Sequence, residues 1–213
     1  MLKRDQTLSE EIANAITHGV GVLFSIIAFP SLLQRVADEG DFRHVAAILF
    51  FGLGLFAVYI TSTLYHAIQI PSIKRKLNIS DHMSIFLLIG GTYAPFVHQY
   101  TDDQTASIFL TTQWVIIVAG MILKVFFTEK YEWASLFLYV FLGLMIVFLI
   151  EPFSKNMHFA VFKWIFAGGI SYCIGVFFYR WDKQKYAHTI WHLFVLGGSA
   201  CHYIAIWKMY EIN

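Results

Sequence analysis

Residues Ala187–Trp207 read "AHTIWHLFVLGGSACHYIAIW". A helix of about 20 residues, rising 1.5 Å per residue, crosses roughly 30 Å of hydrocarbon, so this stretch is long and apolar enough to span a bilayer. Yet it carries three imidazoles, at His188, His192 and His202. Ionisable side chains are costly at that depth, so each asks for a physical reason.

The rest of the chain has the same character. Of 213 residues, 58% are hydrophobic and only 14% charged, against about 25% charged in an ordinary soluble domain. Seven apolar stretches qualify as spans: Ala15–Leu33, His44–Ile68, Ile79–Val97, Ala106–Phe127, Trp133–Ile150, His158–Tyr179 and Ala187–Lys208. Short loops between them hold most of the charge. The expected fold is all-α, an integral membrane bundle of seven transmembrane helices. It forms one domain over residues 1–213, multi-pass in the cell membrane. A net charge of +1 argues against nucleic acid as a partner. Cys173 and Cys201 both lie in apolar runs and read as packing residues rather than a disulfide framework. The amino-terminal segment lacks the short apolar core and small-residue cleavage site of a removable signal peptide. Thr7 and Glu10 match a capping box, so a helix is expected to begin there and run into the first span.

Lys and Arg set the orientation. One side collects Lys3, Arg4, Lys74, Arg75, Lys76, Lys124, Lys130, Arg180, Lys183 and Lys185, ten in all. The other collects five: Arg35, Arg43, Lys155, Lys163 and Lys208. The richer side is expected to be cytoplasmic, with the N-terminus inside and the C-terminus outside.

That topology sorts the histidines. His44, His98 and His158 fall at the outer ends of spans, where an amphipathic ring suits the headgroup level. "TSTLYH" ends the second span with Ser62 and His66, "ISDH" opens the third with Asp81 and His82, and "AHTIWH" opens the last with His188 and His192. These groups share one depth near the cytoplasmic interface. Residues four apart lie on one helix face, one turn apart, so His188 and His192 can bind one metal ion from one side. The pair alone also fits imidazoles that hydrogen-bond between helices. A third histidine and a carboxylate at the same depth favour metal, and three imidazoles with an open position suit catalytic zinc. His202 follows His188 by 14 residues, roughly 21 Å along the helix, so it belongs to no shared ion and is expected to pack. Glu11, Asn14 and His18 share a face of the first helix and are expected to orient the site's groups or a ligand.

Together "ExxNxxTH" at Glu11–His18, "SxxYH" at Ser62–His66, "SDHMSIFLLIGGTYAPF" from Ser80 and "HTIWHLFVLGGSACH" from His188 resemble the hemolysin III family. That family belongs to the wider group of seven-helix membrane proteins that includes adiponectin and progestin receptors and alkaline ceramidases. The resemblance implies Zn2+ near the cytoplasmic face, held by His66, His188 and His192. It implies that Asp81 acts through a water and that Ser62 assists the chemistry. His82, about 100° round the helix from Asp81, is a poor candidate ligand. The implied activity is metal-dependent hydrolysis of a lipid amide or ester, with a membrane lipid or lipid-like molecule as substrate. The alternatives are a non-enzymatic sensor of membrane lipid state with a structural zinc, and a cytolytic role. A proton relay fits poorly, because the polar groups gather at one depth.

Overall fold

Backbone N–H and C=O groups cannot stay unpaired in hydrocarbon, so each apolar run satisfies its own hydrogen bonds as a helix. A computed structural model describes residues 6–37, 41–127, 132–181 and 183–212 of the chain. The helices are α1 (Leu8–Ala37), α2 (Phe42–Ala67), α3 (Pro71–Tyr100), α4 (Asp103–Phe127), α5 (Glu132–Leu144), α6 (Ile150–Asn156), α7 (Phe159–Arg180) and α8 (Ala187–Ile212). A 3-10 turn over Met145–Leu149 joins α5 to α6, and the three pieces make one crossing. The chain is an all-helical, multi-pass membrane bundle. Among the described residues, six of its seven crossings are long and apolar enough to span a membrane by length and composition. The exception, α3, carries Lys74, Arg75, Lys76 and Asp81 in its first half.

Two elements differ from the expectation, each for a visible reason. α3 begins at Pro71 rather than Ile79. Proline is pre-organised for a helix's first turn, and the Lys and Arg that follow are good helix formers. The fifth crossing does not run unbroken from Trp133 to Ile150. The Tyr93 hydroxyl, reaching over from α3, donates to the Gly143 carbonyl at 2.7 Å and accepts from the Ile146 N–H at 2.9 Å. It takes two groups that the α-helical ladder would have paired, and the helix breaks there. At the amino end, Glu10 Oε2 accepts from the Thr7 N–H at 2.9 Å and from the Thr7 hydroxyl at 2.8 Å, close to the expected cap.

The outer surface is a belt of exposed apolar side chains, among them Ile27, Phe126, Phe148 and Phe159, each more than 70% exposed. Water would not tolerate such a continuous surface, whereas lipid solvates it. Inside, glycines set the helix spacing. A Cβ at Gly54 of α2 would lie 2.7 Å from the Leu87 carbonyl oxygen, and one at Gly91 of α3 would lie 2.5 Å from that of Phe50. α2 and α3 therefore pack backbone to backbone, as small residues permit between membrane helices. α1 lies against α2 and α8, and α7 against α8. α5 rests lightly on α3 and α4, and among the described residues it does not pack closely on α7. One end of the bundle gathers the starts of α1, α3, α5 and α8 with the ends of α2, α4 and α7, around a common cavity. Lys3, Arg4 and Lys130, used in the charge comparison, lie outside the described residues.

Candidate metal centre

The cavity holds about 350 Å3 and opens at this end of the bundle. Its position follows from the helix contacts. Close α2–α3 packing brings Ser62 and His66 to the same depth as Asp81. α8 starts with a tight backbone turn, because Tyr186 adopts φ 61°. That left-handed conformation is unfavourable for a non-glycine residue and needs support from its surroundings. The support comes from α1, where Glu10 Oε1 accepts the Tyr186 N–H at 2.9 Å. The first turn of α8, with His188, is thereby tied to the first turn of α1.

Within this frame one ring nitrogen each from His66, His188 and His192 falls within 4.8 Å of the others. It is the only such convergent set among the described residues, and it could hold a metal ion. The ring centroids of His66 lie 5.2 Å from those of His188 and 5.1 Å from those of His192. His66 is 2% exposed. Its Nδ1 meets Glu11 Oε2 at 2.7 Å, and Glu11 Oε1 accepts from Lys74 Nζ at 3.0 Å. A carboxylate only accepts, so Nδ1 carries the proton and Nε2 is left with its lone pair. That Nε2 is buried and has no hydrogen-bond partner. His192 is arranged alike: its Nδ1 lies 3.3 Å from the Asn14 carbonyl oxygen, which again directs Nε2 to be the bare nitrogen. Burying the unpaired His66 lone pair is costly unless something binds it. The donor set therefore fits a divalent cation of the zinc type, bound through imidazole and oriented by a carboxylate and a carbonyl behind it.

The remaining residues singled out from the sequence fall around this group. Glu11 and Asn14 touch its histidines directly. Asn14 Oδ1 also accepts from Thr189 Oγ1 at 2.6 Å, which locks α1 to α8. His18 lies face to face with His192 at 3.5 Å between centroids and makes no hydrogen bond. Asp81 and Ser62 line the same cavity. The Asp81 carboxyl stays outside the convergent set, and the buried Ser62 hydroxyl lies beside it. His82 lines the cavity as well but stays outside the convergent set, with Nδ1 at 2.8 Å from the Asn78 carbonyl oxygen. His202 packs in the bundle with Nε2 at 3.3 Å from the Ile165 carbonyl oxygen. His158 caps α7, its Nδ1 accepting from the Ala160 N–H.

Sequence reasoning missed Lys124. It is 1% exposed and lines the cavity from α4, facing Asp81. Its signal was available: in "GMILKVFF" an ammonium sits inside an apolar run, the same oddity that marked the histidines. Reading it as an interfacial charge hid it. Thr17, whose hydroxyl lies 3.3 Å from His192 Nδ1, was passed over because threonine is unremarkable in a membrane helix.

A multi-pass membrane bundle with three convergent imidazoles at one end, supported from behind by its first helix, defines the class of protein. The chain belongs to the haemolysin-III related family, whose model matches residues 6–203. It is 38% identical to Hemolysin-3 of Bacillus cereus over 206 residues, 97% of this chain and 94% of that protein. It is 38% identical to a Hemolysin-3 homolog of Bacillus subtilis (strain 168) over 200 residues, 94% of each chain. It is also 30% identical to the monocyte to macrophage differentiation factor of Homo sapiens over 208 residues, 95% of this chain and 85% of that protein. No solved structure gives a significant match.

Proposed function

We propose that the protein is a zinc-dependent hydrolase of a lipid amide or ester, its site at the cytoplasmic face, with the N-terminus inside and the C-terminus outside. The observation that carries this reading is His66 Nε2, buried and unpaired while Glu11 holds Nδ1, at the centre of three converging imidazoles. His66, His188 and His192 would hold the ion. Bound there, zinc would supply a Lewis acid for a carbonyl and lower the pKa of water toward neutrality. The Asp81 carboxylate would orient the attacking water and take its proton. The Ser62 hydroxyl, beside the Asp81 carboxyl, would donate to the oxygen that gains charge. The loosely packed wall between α5 and α7 would admit a lipid from the bilayer. The orientation rests on the charge bias. Buried Lys124 no longer counts toward it, and the other nine Lys and Arg still outnumber the five at the far end.

The test is turnover of lipid amides and esters by purified, zinc-loaded protein. The expected outcome is hydrolysis by the wild type and loss of at least about a hundredfold with Asp81→Ala, in the range removed with a general base. Absence of turnover on either class, with zinc bound, would contradict it.

One observation favours a second reading. α2 and α8 pack less closely than α2 does on α1 or α3, and a metal on His66, His188 and His192 would staple them together. The protein would then sense or regulate membrane lipid state without catalysis. His66→Ala would lower the melting temperature sharply, and no turnover would be found under any condition. The names of the Bacillus relatives raise cytolysis. Lysis of target cells by purified wild type, but not by a His188→Ala variant, would establish it.

A further inference from the structure

A fourth imidazole borders the cavity, and the proposed chemistry does not use it. His18 of α1 is 3% exposed, and neither ring nitrogen has a hydrogen-bond partner. Its ring is clamped. One face lies on His192 at 3.5 Å between centroids, with planes 17° apart, and the edge contact with Tyr59 is at 5.1 Å. Gly21, one turn further along α1, makes room for Tyr59, since a Cβ there would lie 2.3 Å from Tyr59 Cδ1.

The stacking rules His18 out as a ligand of the same ion. Imidazole lone pairs lie in the ring plane, so two near-parallel rings send them side by side rather than toward one point. His18 accordingly stands outside the convergent set. A neutral imidazole still has one donor and one acceptor, and burying both unpaired incurs the desolvation cost without compensation. Its neighbours in the motif do have partners. Glu11 bonds His66 and Lys74, Asn14 bonds Gln6 and Thr189, and Thr17 bonds the Ala13 carbonyl. His18 alone of the four has none, and it lines the cavity.

We propose that His18 reads the molecule occupying the cavity, its imidazole hydrogen-bonding an acyl oxygen of a ligand seated against His66, His188 and His192. The ligand class is an acyl compound with a lipid tail, such as an amide or ester. This rests on the reading of the cavity as the zinc and acyl-lipid site. The competing role is packing, with His18 a flat spacer between His192 and Tyr59. The two roles separate by substitution. His18→Phe keeps a flat ring and removes both nitrogens. His18→Gln keeps a donor and an acceptor and removes the ring.

The experiment uses full-length protein in detergent, loaded with zinc, and octanohydroxamate as the probe. Zinc content, melting temperature and hydroxamate affinity are measured for the wild type and both variants. His18→Phe is expected to keep its zinc and to melt at or above the wild-type temperature, because two unpaired polar atoms are gone. It is expected to bind the probe about tenfold more weakly, the loss of one hydrogen bond, while His18→Gln stays within about threefold of wild type. Unchanged affinity in His18→Phe, or a lower melting temperature, would overturn the inference with the zinc reading intact. A wild type that holds no zinc and binds no hydroxamate would overturn the zinc reading itself.

Discussion

His202 and the pair His188–His192 ride on one helix, α8, yet they meet different neighbours. His202 is enclosed. Its Nε2 faces the Ile165 carbonyl oxygen, its ring lies 5.5 Å from that of Tyr172, and a Cβ at Gly168 would come within 2.6 Å of it. It does not line the cavity. His188 and His192, with centroids 4.6 Å apart, look instead into open space and toward a third imidazole on α2. The same residue type on the same helix thus answers two problems. At one end it is packed, with Nε2 facing a carbonyl and Nδ1 buried without a partner, and at the other the helices opposite bring three imidazoles toward one point. What lies across from an intramembrane histidine decides its role, more than its own helix does.

Three substitutions test this contrast. The largest effect is expected at Glu11→Gln. The amide cannot hold the His66 Nδ1 proton as a carboxylate does, and zinc affinity should fall about 10–100-fold, as when a partner behind a metal ligand is removed. Competition with a chelator measures this, and unchanged affinity would mean that Glu11 does not orient His66. Next is Gly168→Val at the other end. Overpacking against His202 should cost about 1–3 kcal/mol of stability and leave zinc content unchanged, which separates the packed histidine from the liganding ones. Smallest is Asp41→Asn at the start of α2, far from both. The side chain and backbone N–H of Arg43 hold the Asp41 carboxyl below the usual carboxylate range. A folded-state pKa that is depressed contributes stability above the unfolded value and loses it as pH falls through the folded one. The small melting-temperature gap between variant and wild type should therefore be present at neutral pH and close below about pH 4. A gap that persists in acid would assign the cap to something other than the charge.

The sequence encodes some of this contrast and hides the rest. Six of the crossings were legible because hydrocarbon enforces length and composition on each, and α3 was legible over its apolar second half. The metal candidates were legible because His66, His188 and His192 stand at one depth on spans whose direction alternates. Depth is a one-dimensional property, and a sequence encodes it well. Rotation and lateral order are less well encoded. That Glu11 would bond His66 itself depends on α1 packing beside α2. That His18 would stack on His192 rather than bond anything depends on the same docking. The break between α5 and α6 was hidden because its cause, Tyr93, sits on another helix. Lys124 was misread for a related reason, since charge near a helix end looks interfacial until the neighbouring helices are seen to close over it.

The central claim is that His66, His188 and His192 bind a metal and that His202 does not. It is tested most directly by elemental analysis of protein purified without added metal, comparing wild type, His66→Ala and His202→Phe. About one zinc per chain is expected in the wild type, as three imidazole ligands suit. None is expected in His66→Ala, and wild-type content in His202→Phe. Metal retained in His66→Ala, or a wild type free of metal that takes up none from added zinc, would contradict it.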